Sequence, residues 1–232
     1  MRMLLLVVLV LAVVNAVNNR LAPGLYVPVC VTTAALLVLI ARLSGLTADD
    51  LGLGRGSVRR GLRWGLIVAT AFVAVYLAGL AVPFTRDVFQ DQRAAGLTVG
   101  ELVYRVLVRV PLGTVLLEEI AFRGVLWAMV ERRWGHLWAT TFSSFLFGLW
   151  HVLPSRGLTR ANAAAEAVFG AGSVGVVLSV VAAVVGTALA GVLFCELRRR
   201  SGSLIPPMAL HFALNSAGYV LAWAAGRWWG SP

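Results

Sequence analysis

Lysine is missing from this 232-residue chain: all 20 basic residues are arginine, and only 10 acidic residues stand against them. Charge of either sign is scarce, at 13% of residues, where ordinary soluble domains carry roughly 25%. There are two cysteines, Cys30 and Cys195, and both fall inside apolar runs, so neither a disulfide framework nor a cysteine metal site is indicated. No His-Glu-x-x-His occurs, and neither does Gly-x-Ser-Gly nor Gly-x-Gly-Asp, which leaves zincin, serine-type and aspartyl-type intramembrane chemistry without their usual motifs. No internal repeat is present either. A net charge of +10 suggests nucleic acid at first sight. The arginines, however, lie mostly in short connectors beside apolar runs, where the positive-inside bias of membrane proteins accounts for them without a nucleic-acid partner.

What the chain has in plenty is apolar sequence. Hydrophobic residues make up 59%, and the mean hydropathy of +0.86 comes in several long runs rather than one. About twenty apolar residues cross a bilayer's hydrocarbon, and seven runs approach that length: 3–17, 25–43, 62–82, 98–130, 137–153, 174–197 and 204–225. They do not alternate as barrel strands would. The expectation is an all-α, polytopic transmembrane bundle of about seven spans, forming a single integral membrane domain over residues 1–232. The first run is read as a retained span, since no Ala-x-Ala site closes it as a cleaved leader would require. The connector 44–63 reads as a solvated, headgroup-facing loop, and 154–172 as a lid or a plain loop. Tryptophans 64, 134, 138, 228 and 229 near run ends fit an interfacial belt.

Eleven arginines (Arg2, Arg42, Arg55, Arg59, Arg60, Arg63, Arg132, Arg133, Arg198, Arg199 and Arg200) fall on one side of this arrangement. Six (Arg20, Arg86, Arg93, Arg156, Arg160 and Arg227) fall on the other. The richer side is expected to be cytoplasmic, with the N-terminus inside and the C-terminus outside.

Ionisable residues within spans are costly and by default mark function. The fourth run carries Glu118, Glu119 and Arg123; the fifth ends on Phe147 and His151; the seventh carries His211 and Asn215. Glu119 and Arg123 are spaced to pair along one helix, which leaves Glu118 as the unpaired carboxylate. Counted from the arginine-rich side at helical rise, Glu118, His151 and His211 lie at roughly 20, 22 and 15 Å, so three helices can bring them together. Arg105 and Arg109, one turn apart early in the fourth run, have no assigned role at this level beyond anchoring.

Glu-Glu-x-x-x-Arg at 118–123, Phe-x-x-x-His at 147–151 and His-x-x-x-Asn at 211–215, in this order on successive helices, resemble the three motifs of the CPBP intramembrane proteases. That family includes the type II CAAX prenyl endopeptidases and bacterial Abi proteins. Gly124 and the Ser-Gly-Ser-Leu at 201–204 fit its context, and the resemblance covers residues 100–215 within a motif-bearing core of about 98–225. It implies an intramembrane endopeptidase acting on a membrane-associated protein or peptide, in a bacterial cell membrane. The alternatives are a non-catalytic immunity or scaffold protein and a transporter built on the same bundle.

Peptide hydrolysis needs an activated water, a proton donor for the leaving amine and stabilisation of the oxyanion. Glu118 is the candidate base, His151 helps to hold the water, and His211 with Asn215 can face the oxyanion. Glu119, Arg123 and Phe147 are the candidate supports of the site. Zinc held by Glu118, His151 and His211 is the competing arrangement, and a metal-free glutamate mechanism is preferred.

Overall fold

The computed structural model describes residues 1–89 and 91–228. Trp229 and the side chains of Arg86 and Trp228 lie outside the described residues. Helix α1 (Arg2–Ala16) runs into a wider π-helical turn, Val17–Leu21, and is followed by α2 (Tyr26–Leu43) and α3 (Val58–Ala81). A short α4 (Gln92–Ala95) leads to α5 (Val99–Tyr104). From there the chain stays helical through a π-helical stretch Arg105–Val115, α6 (Leu116–Glu118), a second π-helical stretch Glu119–Leu126 and α7 (Trp127–Trp150). Three short helices, α8 (Val152–Ser155), α9 (Leu158–Ala161) and α10 (Ala163–Phe169), precede the long α11 (Ser173–Ser201) and α12 (Ile205–Trp228). The described residues contain no strand, as the sequence leads one to expect.

Among the described residues four helices are long and apolar enough to cross a membrane: Arg2–Leu21, Pro23–Leu43, Arg55–Ala81 and Ser173–Ser201. The other three runs are helical too, but they carry the chain's unusual polar groups, Glu118, Glu119 and Arg123 in one, His151 in another, His211 and Asn215 in the third. Length and apolarity therefore do not single them out, and a count of seven crossings is not established. Gly135, at φ +80° and ψ 172°, breaks the helical path between the fourth and fifth runs, where the sequence places a turn.

Helices in lipid gain little from hydrophobic transfer and depend on close packing of small residues. That dependence is visible between α7 and α11. A Cβ on Gly148 would stand 2.7 Å from the Val184 carbonyl oxygen, and one on Gly191 would stand 3.1 Å from the Ser144 backbone. The shared core of α1, α2, α7 and the 116–126 segment is filled by Val7, Leu37, Phe122, Val125 and Leu126, all but fully buried. Large aliphatic side chains of α1, α3 and α11 (Leu5, Leu66, Leu189) are instead exposed on the outside of the bundle, where lipid would meet them.

The connector 44–63 follows expectation in part. Across 44–63 the polar residues Thr47, Asp49, Asp50, Arg55, Arg59, Arg60 and Arg63 are exposed as expected, while Leu46 and Leu51 are buried and tie the 44–54 part to the bundle. Arg198 donates to the Asp50 and Asp49 carbonyls at 2.8 and 3.4 Å, and Leu204 N–H donates to Gly52 O at 2.9 Å. Gly52 holds φ +73°, and a Cβ there would meet Arg198 Nε at 2.3 Å, so the turn and the arginine fit only around glycine. Arg60 donates to Ser201 O, and Arg132 to the Ser44 and Gly45 carbonyls. The connectors rich in arginine thus gather at one end of the bundle, and their guanidinium groups satisfy carbonyls that helix ends leave open.

Candidate active site

The segment that carries Glu118 does not follow an ordinary α-helix. Pro111 has no N–H to give to the ladder, and around it the hydrogen bonds lengthen by one residue; Leu116 N–H reaches back to Pro111 O. A second wide stretch begins at Glu119. Wide turns of this kind are uncommon and concentrate at functional sites. The sequence marks the first with its internal proline, although simple periodicity does not register the added residue.

Glu119 and Arg123 form the expected pair, Nη1 to Oε1 at 3.1 Å, with both side chains fully buried. The guanidinium is also held by rings: its central carbon lies 3.9 Å from the Phe147 ring centre and 4.7 Å from that of Phe194. Phe147 stands edge-on to Phe122 and to the His151 ring. Sequence reasoning had Phe147 as a support but missed Phe194, which arrives from α11 and has no spacing relation to the motifs.

The same Glu119 oxygen takes a second partner, His211 Nδ1, at 2.7 Å. A carboxylate can only accept, so Nδ1 carries the hydrogen. Likewise His151 Nδ1 lies 2.8 Å from the Phe147 carbonyl oxygen, so it too must donate. In both neutral rings the lone pair then sits on Nε2. The two Nε2 atoms converge on one acceptor, Glu118 Oε2, at 4.0 Å from His151 and 3.8 Å from His211. Oε2 accepts no hydrogen bond within the protein. Its companion Oε1 accepts from the Trp150 indole N–H at 3.0 Å, and the Trp150 carbonyl in turn accepts from Asn15 of α1 at 2.7 Å. Trp150 went unassigned in the sequence; Asn15, a polar residue inside an apolar run, was the available signal.

Glu118, His151, His211 and Asn215 line one cavity of about 550 Å³. The four side chains therefore share the wall of one cavity, with His151 and His211 beside Glu118. Arg93, Arg105 and Arg109, with Tyr26 and Tyr219, form another part of the same lining, which sequence reading did not foresee. Pro154, Ser155 and Leu158 of the 154–172 connector reach it as well.

Zinc bonded at about 2.0–2.1 Å in a tetrahedron holds its ligand atoms roughly 3.4 Å apart. Glu118 Oε2 stands farther than that from each Nε2, at 3.8 and 4.0 Å. No group of three or more His, Cys, Asp or Glu side chains among the described residues is arranged to hold a metal ion. The donor set as placed does not fit zinc.

Residues 100–217, just over half of the chain, match the family model described as type II CAAX prenyl endopeptidase Rce1-like. No curated protein and no solved structure matches the chain.

Proposed function

The chain belongs to the Rce1-like type II CAAX prenyl endopeptidase family, a family of membrane proteases, and we propose that it hydrolyses a peptide bond of a membrane-associated protein or peptide with water activated by Glu118 and His151. The observation that carries this reading is the approach of two imidazole Nε2 atoms to the one oxygen of a buried carboxylate that accepts no hydrogen bond. A water shared by Glu118 Oε2 and His151 Nε2 has both hydrogens engaged by acceptors and its own lone pair free to attack a carbonyl carbon.

Glu118 takes the proton as the C–O bond forms, then returns it to the amide nitrogen as the C–N bond breaks. Trp150 fixes the carboxylate through Oε1 and leaves Oε2 for the water. The oxyanion falls to His211 and Asn215. His211 can donate from Nε2 only as imidazolium, because Nδ1 is already committed to Glu119. The Glu119 carboxylate is placed to compensate that charge as well as that of Arg123, an orienting role of the kind a buried carboxylate plays behind a catalytic histidine. All of these steps use groups of the chain itself.

The preferred topology is seven crossings with the arginine-rich end cytoplasmic. The cavity then opens toward the opposite face, since its lining includes the π-helical turn just after α1, the start of α2 and the end of α7.

The test compares the peptides released from membranes of cells that carry the wild-type chain with those from cells that carry Glu118→Gln. A set of fragments present in the first and missing in the second supports the reading. Identical fragment profiles from the two refute it.

A further inference from the structure

Arg105 and Arg109 are set into the same cavity wall as Glu118, one helical turn apart. Cations at this spacing repel each other, and charges within a membrane bundle normally find a carboxylate. Among the described residues neither makes an ion pair, although Arg105 feels the Glu101 carboxylate one turn before it. Arg93, the third arginine of the wall, differs in being clamped by both oxygens of Asp91. Glu101, one turn before Arg105, is engaged by Thr98 in a capping box at the start of α5.

What holds the two free guanidinium groups is aromatic. The Arg109 central carbon stands 4.0 Å from the Tyr26 ring centre. Tyr26 is tied by its hydroxyl to Thr114 at 3.1 Å, and it fits because residue 113 is glycine; a Cβ there would stand 2.7 Å from the ring. Arg105 lies over Tyr219 and reaches its hydroxyl at 3.5 Å. Stacking on Tyr26 holds the Arg109 guanidinium in place without using its in-plane N–H donors, and Arg105 commits one donor to the Tyr219 hydroxyl and keeps the others, an arrangement suited to bidentate capture of an oxyanion.

We infer that Arg105 and Arg109 form an anion-binding subsite of the cavity, which takes a carboxylate or phosphate group of the bound substrate and thereby sets where the chain lies across Glu118. The inference rests on the protease reading for the word substrate, but not for the binding. Arg109 precedes Glu118 by nine residues, more than one helical turn, and neither Arg105 nor Arg109 pairs with the Glu118 carboxylate, whose oxygens face Trp150, His151 and His211. The subsite is therefore separate from the oxyanion of the reaction. Two sources share the chemistry: a carboxylate on the peptide, and the phosphate of a lipid headgroup.

Titration calorimetry on the full chain in neutral phosphatidylcholine nanodiscs separates them. The probes are an octanoyl-capped tri(N-methylalanine) with a free C-terminal carboxylate, whose methylated amides resist cleavage, the same compound as its carboxamide, and dioctanoyl phosphatidic acid. Wild type is expected to bind at least one anion tenfold or more tighter than the carboxamide, with that preference weakening several-fold between 50 and 500 mM salt. R105Q/R109Q should bind all three probes alike. The anion preferred by wild type names the source. Equal binding of anions and carboxamide by wild type overturns the inference, as does a preference retained in R105Q/R109Q. If that variant does not fold, the salt series on wild type decides, and a preference unmoved by salt overturns it. Because no probe is cleaved, failure here leaves the protease reading standing, and loss of the protease reading leaves this result intact.

Discussion

A single oxygen of Glu119 binds both Arg123 and His211, at 3.1 and 2.7 Å. It joins two motifs that lie 92 residues apart. The sequence reading gave Glu119 one partner, and the second changes its part: it fixes the tautomer of His211 and points Nε2 at Glu118. In the proposed mechanism the two adjacent glutamates divide the work, one holding the imidazole and the other facing the water.

Arg123→Ala would strand the Glu119 charge beside an aromatic wall. Breaking one side of a buried pair costs about 3–5 kcal/mol, so the melting temperature in detergent should fall steeply. Arg123→Lys should recover only part of the loss, because an ammonium does not lie flat between Phe147 and Phe194. Unfolding of Arg123→Ala at the wild-type temperature would show the pair to be without structural weight.

Trp150→Phe keeps most of the ring packing and removes the N–H that holds Glu118 Oε1. Hydrogen bonds to charged groups contribute about 1.5–3 kcal/mol. Turnover of a reporter should drop by roughly ten- to a hundredfold at equal KM, since one unit of 1.4 kcal/mol is a factor of ten. The pH profile of kcat should move as well, a readout that loss of packing alone would leave in place.

At the arginine-rich end, the Thr47 backbone N–H and hydroxyl both donate to Asp50, and these bonds hold its carboxyl below the ordinary carboxylate range. A folded value below the unfolded one, about 3.9, means that the bonds stabilise the fold above that pH and cease to do so as pH falls through the folded value. Asp50→Asn should therefore melt slightly below wild type at pH 7, and the gap should close on acidification below about pH 4. A gap of constant size across the acid range would contradict this.

Orientation is open to a direct check, because both native cysteines are buried. Ser57→Cys, in the 44–63 connector just before α3, should resist an impermeant maleimide in intact cells and react once the membrane is opened. Strong labelling in intact cells would invert the topology.

The convergence of Glu118, His151, His211 and Asn215 was legible in the sequence because ionisable groups are costly in lipid, and so few that each one present is informative. Helical spacing also showed the Glu119–Arg123 pair. It could not show Phe194 or the Trp150 N–H, which reach the site across helix interfaces, nor the Nδ1 bond of His211, which depends on rotation about α12. In the connector 44–63 the exposed polar residues were legible, but the burial of Leu46 and Leu51 and the arrival of Arg198 from 148 residues away to bind the Asp50 carbonyl were not. Arg105 and Arg109 stood out as anomalies, and only the cavity lining showed what they face.

The most direct measurement is paired, on purified Glu118→Gln: thermal unfolding in detergent beside turnover of a cleavable membrane reporter. Glutamine keeps the size and can still accept the Trp150 hydrogen bond, but it cannot take a proton from water. Unfolding within a few degrees of wild type, together with a loss of turnover of at least a thousandfold, is the expected result. Cleavage by Glu118→Gln at the wild-type rate would contradict the assignment of Glu118 as the base.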